Sequence, residues 1–133
     1  MAKLTDGQAR FLHEEPNVGV VAALREDGTP HQTAVWVDWD GEHVVLNLNN
    51  FRVKLDHMRR DPRVSVLTID RNDPFRRLAV EGKVVEITTE GAYEHIVRQA
   101  GIYIGQDEYP LQEGEERILV KIAPERVEAN NVE

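Results

Sequence analysis

The chain has no cysteine and a single serine, Ser65. The first absence removes disulfides, thiolate nucleophiles, iron–sulfur clusters and cysteine-ligated zinc together. The second leaves a serine-nucleophile hydrolase without a plausible residue, because Ser65 lies inside a β-rich run. Neither G-x-x-x-x-G-K-[ST] nor G-x-G-x-x-G occurs, so any phosphate must be held without the usual glycine-rich loops. The histidines, at 13, 31, 43, 57 and 95, include no H-x-x-x-H pair and no H-E-x-x-H. They are expected to be packing or surface residues, and no metal is expected.

No apolar run approaches the roughly 20 residues that a membrane-crossing helix needs. After Met1-Ala2-Lys3-Leu4-Thr5-Asp6 comes no apolar stretch of signal-peptide type, and a cytoplasmic location is expected. Positive charge is also scarce: 16 Lys and Arg against 24 Asp and Glu give a formal charge of −8. That balance disfavours non-specific nucleic-acid binding, which needs clustered cations on one face. With 133 residues, no repeat and no linker, one domain spanning 1–133 is expected. So small a core makes a second copy a natural cover for leftover apolar surface.

Turn signals and alternation organise what is present. Thr5 to Glu14 reads as a short helix, either a lid or a packing helix, closed by Pro16. Val18–Leu24 and His31–Trp39 flank Asp27-Gly28 and read as a hairpin, and Val44–Asn49 follows Asp40-Gly41 as a third strand. In that strand Val44, Leu46 and Leu48 face one way, and Val45, Asn47 and Asn49 the other. Asn50 is placed to cap a helix running through Arg60, with Phe51, Leu55 and Met58 as its apolar stripe. Val64–Ile69 is a fourth strand, and Leu78–Ile87 a fifth that is broken by a bulge at Gly82. Thr89–Ile104 is helical in pattern, with Tyr93, Ile96, Val97 and Ala100 on one side, and Ile118–Ile122 is a sixth strand. The fold class is α+β, dominated by a six-stranded antiparallel barrel with short helices.

One segment reverses the sign of the chain. Arg52, Lys54, Arg59, Arg60 and Arg63 meet only Asp56 and Asp61, and the local excess is three positive charges. His57, Arg59 and Arg60 fall in the last turn of the expected helix, where cations complement the dipole. Arg52 and Lys54 fall in its first turn, where a cation is unfavourable by up to about 1 kcal/mol. A bound phosphate would reverse that sign by accepting N–H bonds, pairing with the arginine fork and taking the lysine as a point charge; the alternative is a solvated basic turn paired with surface carboxylates such as Asp56 or Asp61. Nearby, Asn47 and Asn49 offer carboxamides, and Gln32, Thr33, Ala34, Val35 and Trp36 offer strand backbone against which a flat ring could lie. A phosphate end joined to a polar-edged heterocycle describes a flavin-like molecule. Of Trp36 and Trp39, at least one is expected to be packing.

The stretch GTPHQTAVWVDWDGEHVVLNLNNFRVKLDHMRRDPRVSVLTID, followed by DPFRRLAVEGKVVEI, resembles the split β-barrel flavin and deazaflavin oxidoreductases related to pyridoxamine 5′-phosphate oxidase. It is most similar to the branch of coenzyme F420-dependent enzymes. The resemblance covers residues 15–88, and R-x-K before the helix and R-R-D-P-R-V-S are its most specific segments. It implies a PNPOx-like split barrel that forms a homodimer with cofactor sites at the interface. Arg52, Val53 and Lys54 match the phosphate-binding segment, while Gln32–Trp36 and Asn47, Leu48 and Asn49 match strands lining the ring. Arg77 matches a position that reaches the cofactor from the other subunit. The implied activity is hydride transfer from reduced F420 to an electron-poor conjugated substrate. FMN is the alternative cofactor, and a non-catalytic binder of a flavin, deazaflavin or haem-like ligand the alternative role. No catalytic residue is assigned: Tyr93, Tyr103, Tyr109 and His31 are candidate proton donors beside solvent. The longer C-terminal segment of true pyridoxamine phosphate oxidases is not matched, which places that activity in doubt.

Overall fold

The structure is a computed structural model that describes residues 2–133. Its elements are α1 (Asp6–His13), β1 (Gly19–Leu24), β2 (Pro30–Val35), β3 (Val37–Trp39), β4 (Val44–Asn49), α2 (Val53–Arg60), β5 (Arg63–Ile69), β6 (Arg77–Thr88), α3 (Ala92–Ile104) and β7 (Arg117–Asn130). The strands form one antiparallel sheet in the order β2-β1-β5-β6-β7-β4-β3. Its two edge strands, β2 and β3, are consecutive in the chain and separated only by Trp36. The sheet therefore rolls up until its edges meet at one residue, which makes a split barrel.

That junction explains the difference in strand count. The sequence reads His31–Trp39 as one strand, whereas the backbone pairs with β1 up to Val35 (opposite Gly19) and with β4 from Val37 (opposite Leu46). The chain changes partner at Trp36, so six expected strands become seven. β7 is also longer than the Ile118–Ile122 alternation shows, because it is shared. It pairs with β4 through Arg117–Ile122 and continues along β6 to Asn130. The expected bulge is present, with register shifts at Glu81/Gly82 and Val84/Glu86.

Two helix starts are corrected. α2 begins at Val53 with Arg52 at the N-cap, and Asn50 does not cap it. Instead the Asn50 carboxamide donates to the Gly114 carbonyl (3.0 Å) and accepts from the Glu116 N–H (2.8 Å), fastening this loop to the start of β7. Phe51 thus precedes the helix and is exposed, while Leu55 and Met58 are buried as expected. α3 begins at Ala92 after Gly91, whose φ of 75° ends the strand and turns the chain. Its buried face is Ala92, Ile96, Gln99 and Ala100, and Tyr93 faces solvent.

The barrel interior is filled by Val21, Val37, Leu46, Val66, Leu78 and Ile122, and by Leu55 and Met58 from α2. α1 is fixed by a capping box in which Thr5 and Gln8 satisfy each other's backbone N–H groups, and it delivers Phe11 and Leu12 to the same core. Full burial of a side chain such as Phe11 or Leu46 contributes about 1.5–3 kcal/mol. α3 covers the outer face of β4, where Val45, Ala92 and Leu119 form a second apolar cluster. Both faces of β4 are therefore buried, Asn47 and Asn49 included.

Candidate functional site

Where α2 starts beside β2 and β4, a cavity of about 600 Å³ opens to solvent. Ten of the twelve residues expected to bind the cofactor meet there: Thr33, Ala34, Val35, Trp36, Asn47, Leu48, Asn49, Arg52, Val53 and Lys54. Gln32 and Arg77 are exposed and lie off this wall, with Arg77 Nη1 donating to the Pro74 carbonyl (3.2 Å). Six further residues complete the lining: Val18, His31, Phe51, Ile96, Tyr109 and Arg117. Arg117 was hidden from sequence reading in the acidic run Glu113-Gly114-Glu115-Glu116. Its place beside Asn49 follows only from the β4–β7 register.

Lys54 gives the site its electrostatic character. The residue is 6% exposed, and its Nζ donates to the Thr33 hydroxyl at 2.6 Å. Among the described residues no carboxylate lies within ion-pair distance of Lys54 or Arg52. Burial, followed by the Arg52 charge, pushes the Lys54 ammonium below its ordinary pKa. Arg52 sits at the N-cap and supplies no side-chain cap, so the helix start presents backbone N–H groups and two cations together.

His31 adjoins this end. Its ring meets His57 edge-on with centroids 5.4 Å apart, and the Nδ1 atoms of both rings are buried without a hydrogen-bond partner among the described residues. Desolvation, then the charges of Arg25, His57 and Lys54, push His31 below the ordinary histidine value.

The opposite wall is rigid and polar. Asn47 Nδ2 donates to the Ala92 carbonyl (2.8 Å) and its Oδ1 accepts from Arg117 Nε (2.9 Å). Asn49 Oδ1 accepts the Phe51 N–H (3.0 Å), which shapes the turn into the cationic end. Arg117 pairs with Glu115 at 2.7 Å, and its guanidinium stands 5.1 Å from the centre of the Tyr109 ring. Trp36 stacks on Tyr103 at 4.9 Å with planes 9° apart, so one indole face is committed to packing. Trp39 packs against the barrel core.

Behind this wall Asp38 is buried. Burial works to raise its pKa, but hydrogen bonds from His95, His13 and the Trp39 N–H outweigh it and hold the carboxyl below the ordinary carboxylate range. No cluster of three or more His, Asp or Glu that could hold a metal occurs among the described residues. No described helix is long and apolar enough to cross a membrane.

A sheet closed through a single residue, with an open cavity between two cations and a polar wall, defines a PNPOx-like split barrel of the flavin-type oxidoreductase fold. The chain belongs to the pyridoxamine 5′-phosphate oxidase family, whose sequence profile matches residues 4–131. It is similar in structure to an F420 reductase, with a TM-score of 0.79 and 28% identity, covering 94% of this chain and 98% of that one. A conserved hypothetical protein from Mycobacterium tuberculosis is also 28% identical, with a TM-score of 0.68 and coverage of 94% and 83%. General Stress Protein 26 from Bacillus anthracis shares the fold, at 18% identity and a TM-score of 0.67, with coverage of 94% and 92%. No curated protein matches the chain in sequence.

Proposed function

We propose that this protein is a coenzyme F420-dependent oxidoreductase, in which the reduced deazaflavin, when bound, supplies hydride to a small molecule with an electron-poor conjugated system. The observation that carries the reading is Lys54: a buried ammonium whose only partner among the described residues is a neutral hydroxyl, beside Arg52 at a helix start. Such a group is costly unless an anion completes it. A phosphate there would accept from Lys54, Arg52 and the first N–H groups of α2. The residues present therefore fit the phosphorylated end of a flavin or deazaflavin. Similarity to an F420 reductase favours the deazaflavin.

The chain's own groups would bind and orient rather than react. Val35, Leu48 and Ile96 offer apolar surface, and Arg117 and the β2 backbone offer donors and acceptors at the far end. Of the four candidate proton donors, Tyr109 and His31 border the cavity, Tyr93 faces solvent and Tyr103 is engaged in packing. Phe51, Val53 and Val18, each about half exposed, rim the cavity mouth, which supports a homodimer that covers the mouth with its second copy. Arg77 would then contribute from across that interface.

Equilibrium titration with F420 and with FMN, followed by absorbance, tests the cofactor. Tight F420 binding, with oxidation of the reduced form on adding an enone, is the expected result. Preference for FMN would transfer the reading to a flavin enzyme of the same fold. Binding of either without turnover would favour a storage or shielding role. Sedimentation of the protein alone and with cofactor tests the dimer.

A further inference from the structure

Behind the polar wall, side chains from four elements form one hydrogen-bonded chain whose polarity is fully determined. Asn47 is its fixed point. The atom facing the Ala92 carbonyl (2.8 Å) must be the amide nitrogen, and the atom facing Arg117 Nε (2.9 Å) must be the oxygen, because a carbonyl only accepts and a guanidinium only donates. The same Asn47 nitrogen lies 3.0 Å from His95 Nδ1. That ring nitrogen therefore carries no proton. The proton sits on Nε2, 2.8 Å from Asp38 Oδ2.

At the other end, Arg117 is held by three contacts: Nε to the Asn47 side chain, Nη2 to the Asn47 carbonyl (3.1 Å) and Nη1 to Glu115 (2.7 Å). Each terminal nitrogen keeps one N–H without a partner among the described residues, and the residue borders the cavity. The charged and titratable groups around His95 are Asp38 from β3, His13 from α1 (2.7 Å from Asp38), Arg98 on its own helix (3.2 Å from Asp38) and, through Asn47, Arg117 and Glu115. If His95 gains a proton on Nδ1, it opposes the Asn47 amide donor with another donor. Turning Asn47 round would oppose its nitrogen to Arg117 Nε and its oxygen to the Ala92 carbonyl. Neither orientation satisfies all three neighbours.

We propose that His95 is a positioning residue: in its Nε2–H form it locks the Asn47 carboxamide and so fixes Arg117 through Nε, with its remaining N–H groups available to an oxygen-bearing edge of the bound ring, and its protonation loosens Arg117 by disturbing that one of its three contacts. The ligand half of this statement rests on the cofactor reading above. The positioning half does not.

His95→Gln is the discriminating variant, because its amide can donate to Asp38 and accept from Asn47 without titrating. Nitrogen-15 NMR of the ligand-free protein between about pH 5 and 8 should show His95 as the Nε2–H tautomer at the upper end. The Arg117 Nε–H signal should shift or broaden as His95 protonates in the wild type and stay constant in H95Q. In titrations with FMN and with F420, wild type and H95Q should bind alike at the upper pH. H95Q should bind roughly tenfold more tightly at the lower pH, the scale of one charge-assisted hydrogen bond. Titration of the ligand itself is common to both proteins and cancels in that ratio. An Nδ1–H tautomer, or an Arg117 signal indifferent to His95 protonation, overturns the positioning role whatever the ligand. If the NMR behaviour is as stated but neither cofactor binds any variant, the cofactor reading falls and the ligand half falls with it. If cofactor binds with identical pH profiles in wild type and H95Q, Arg117 does not read the ring and that half alone is overturned.

Discussion

Lys54 on α2 and Thr33 on β2 meet at 2.6 Å, and this contact ties the helix start to the sheet edge with a buried charge answered, among the described residues, by a hydroxyl alone. Such an arrangement is costly in the free protein, and a bound anion would offset that cost. Lys54→Met, similar in shape and uncharged, should leave thermal stability unchanged or raise it. It should weaken FMN or F420 binding by about 10- to 100-fold, the range of a charge-assisted hydrogen bond. Thr33→Val should do the opposite to the fold, because it removes the hydroxyl that accepts from the ammonium, and should lower stability by about 1–3 kcal/mol. Melting curves and titrations on the two variants separate these outcomes. A Lys54→Met protein that melts lower and binds as before would show the lysine to be structural.

The β6 bulge makes a sharper demand at Gly82. A Cβ there would lie 2.1 Å from the Ala123 carbonyl oxygen, so Gly82→Ala must push β6 and β7 apart. A cost of about 3 kcal/mol is expected. Gly28 provides the contrast: its hairpin turn is open, with nothing near the added carbon, but its φ is +86°. Gly28→Ala should cost only about 1 kcal/mol, through backbone strain. Chemical denaturation of both variants checks the order. Equal losses would mean that the bulge relaxes freely.

Gly82 also shows what kind of information the sequence carries. A glycine interrupting an alternating run is a local signal, and local signals located the bulge, the hairpins and the R-x-K segment. What escaped reading depends on which strands meet. The break at Trp36 has no local mark, since His31–Trp39 is uniformly β-like, and exists because the backbone leaves β1 for β4 there. The far half of β7 is polar and contains Pro124, yet it is a strand because β6 supplies its partner. Asn50 has the chemistry of a cap, but the loop before β7 takes both ends of its carboxamide. Likewise Arg52 and Lys54 are neighbours in sequence and could be read as a pair. Arg117 joins the cavity only through the β4–β7 pairing.

Arg76 joins α1 to the loop before β6. It bonds Glu15 at 2.6 Å and Asp70 at 2.7 Å while lying 4.8 Å over the Phe11 ring. The Arg76 hydrogen bond holds Glu15 below its ordinary pKa of 4.5. Backbone N–H bonds from Asn72, then Arg76, hold Asp70 below 3.8. Because both folded-state values are depressed, their contribution is complete above the ordinary carboxylate range and is lost as pH falls through the lowered values. Arg76→Met should therefore reduce the melting temperature by a few degrees at neutral pH. The gap from wild type should close as pH falls toward about 3. Melting curves across that range measure it, and a gap that stays constant with pH would assign the loss to packing on Phe11 instead.

At the split in the barrel, Val37 is the first residue of an edge strand, and the Tyr103 hydroxyl stands where a neighbouring strand would otherwise be. The oxygen accepts the Val37 N–H (3.1 Å), and its single proton faces the carbonyls of Val37 (3.0 Å) and Asn17 (3.1 Å). Burial, opposed by the Val37 N–H bond, pushes the phenol above its ordinary pKa, so it remains a donor throughout the physiological range. Tyr103→Phe keeps the ring stacked on Trp36 but leaves these backbone groups without their partner. It should cost about 1–3 kcal/mol and accelerate hydrogen exchange at the Val37 amide, with tryptophan fluorescence little changed. Trp36→Ala should show the complementary pattern, losing the stack and part of the cavity wall, and with them cofactor affinity, while the Val37 amide stays protected. If Tyr103→Phe leaves Val37 exchange unaltered, water serves the strand edge as well as the phenol does, and the hydroxyl is not what closes the split.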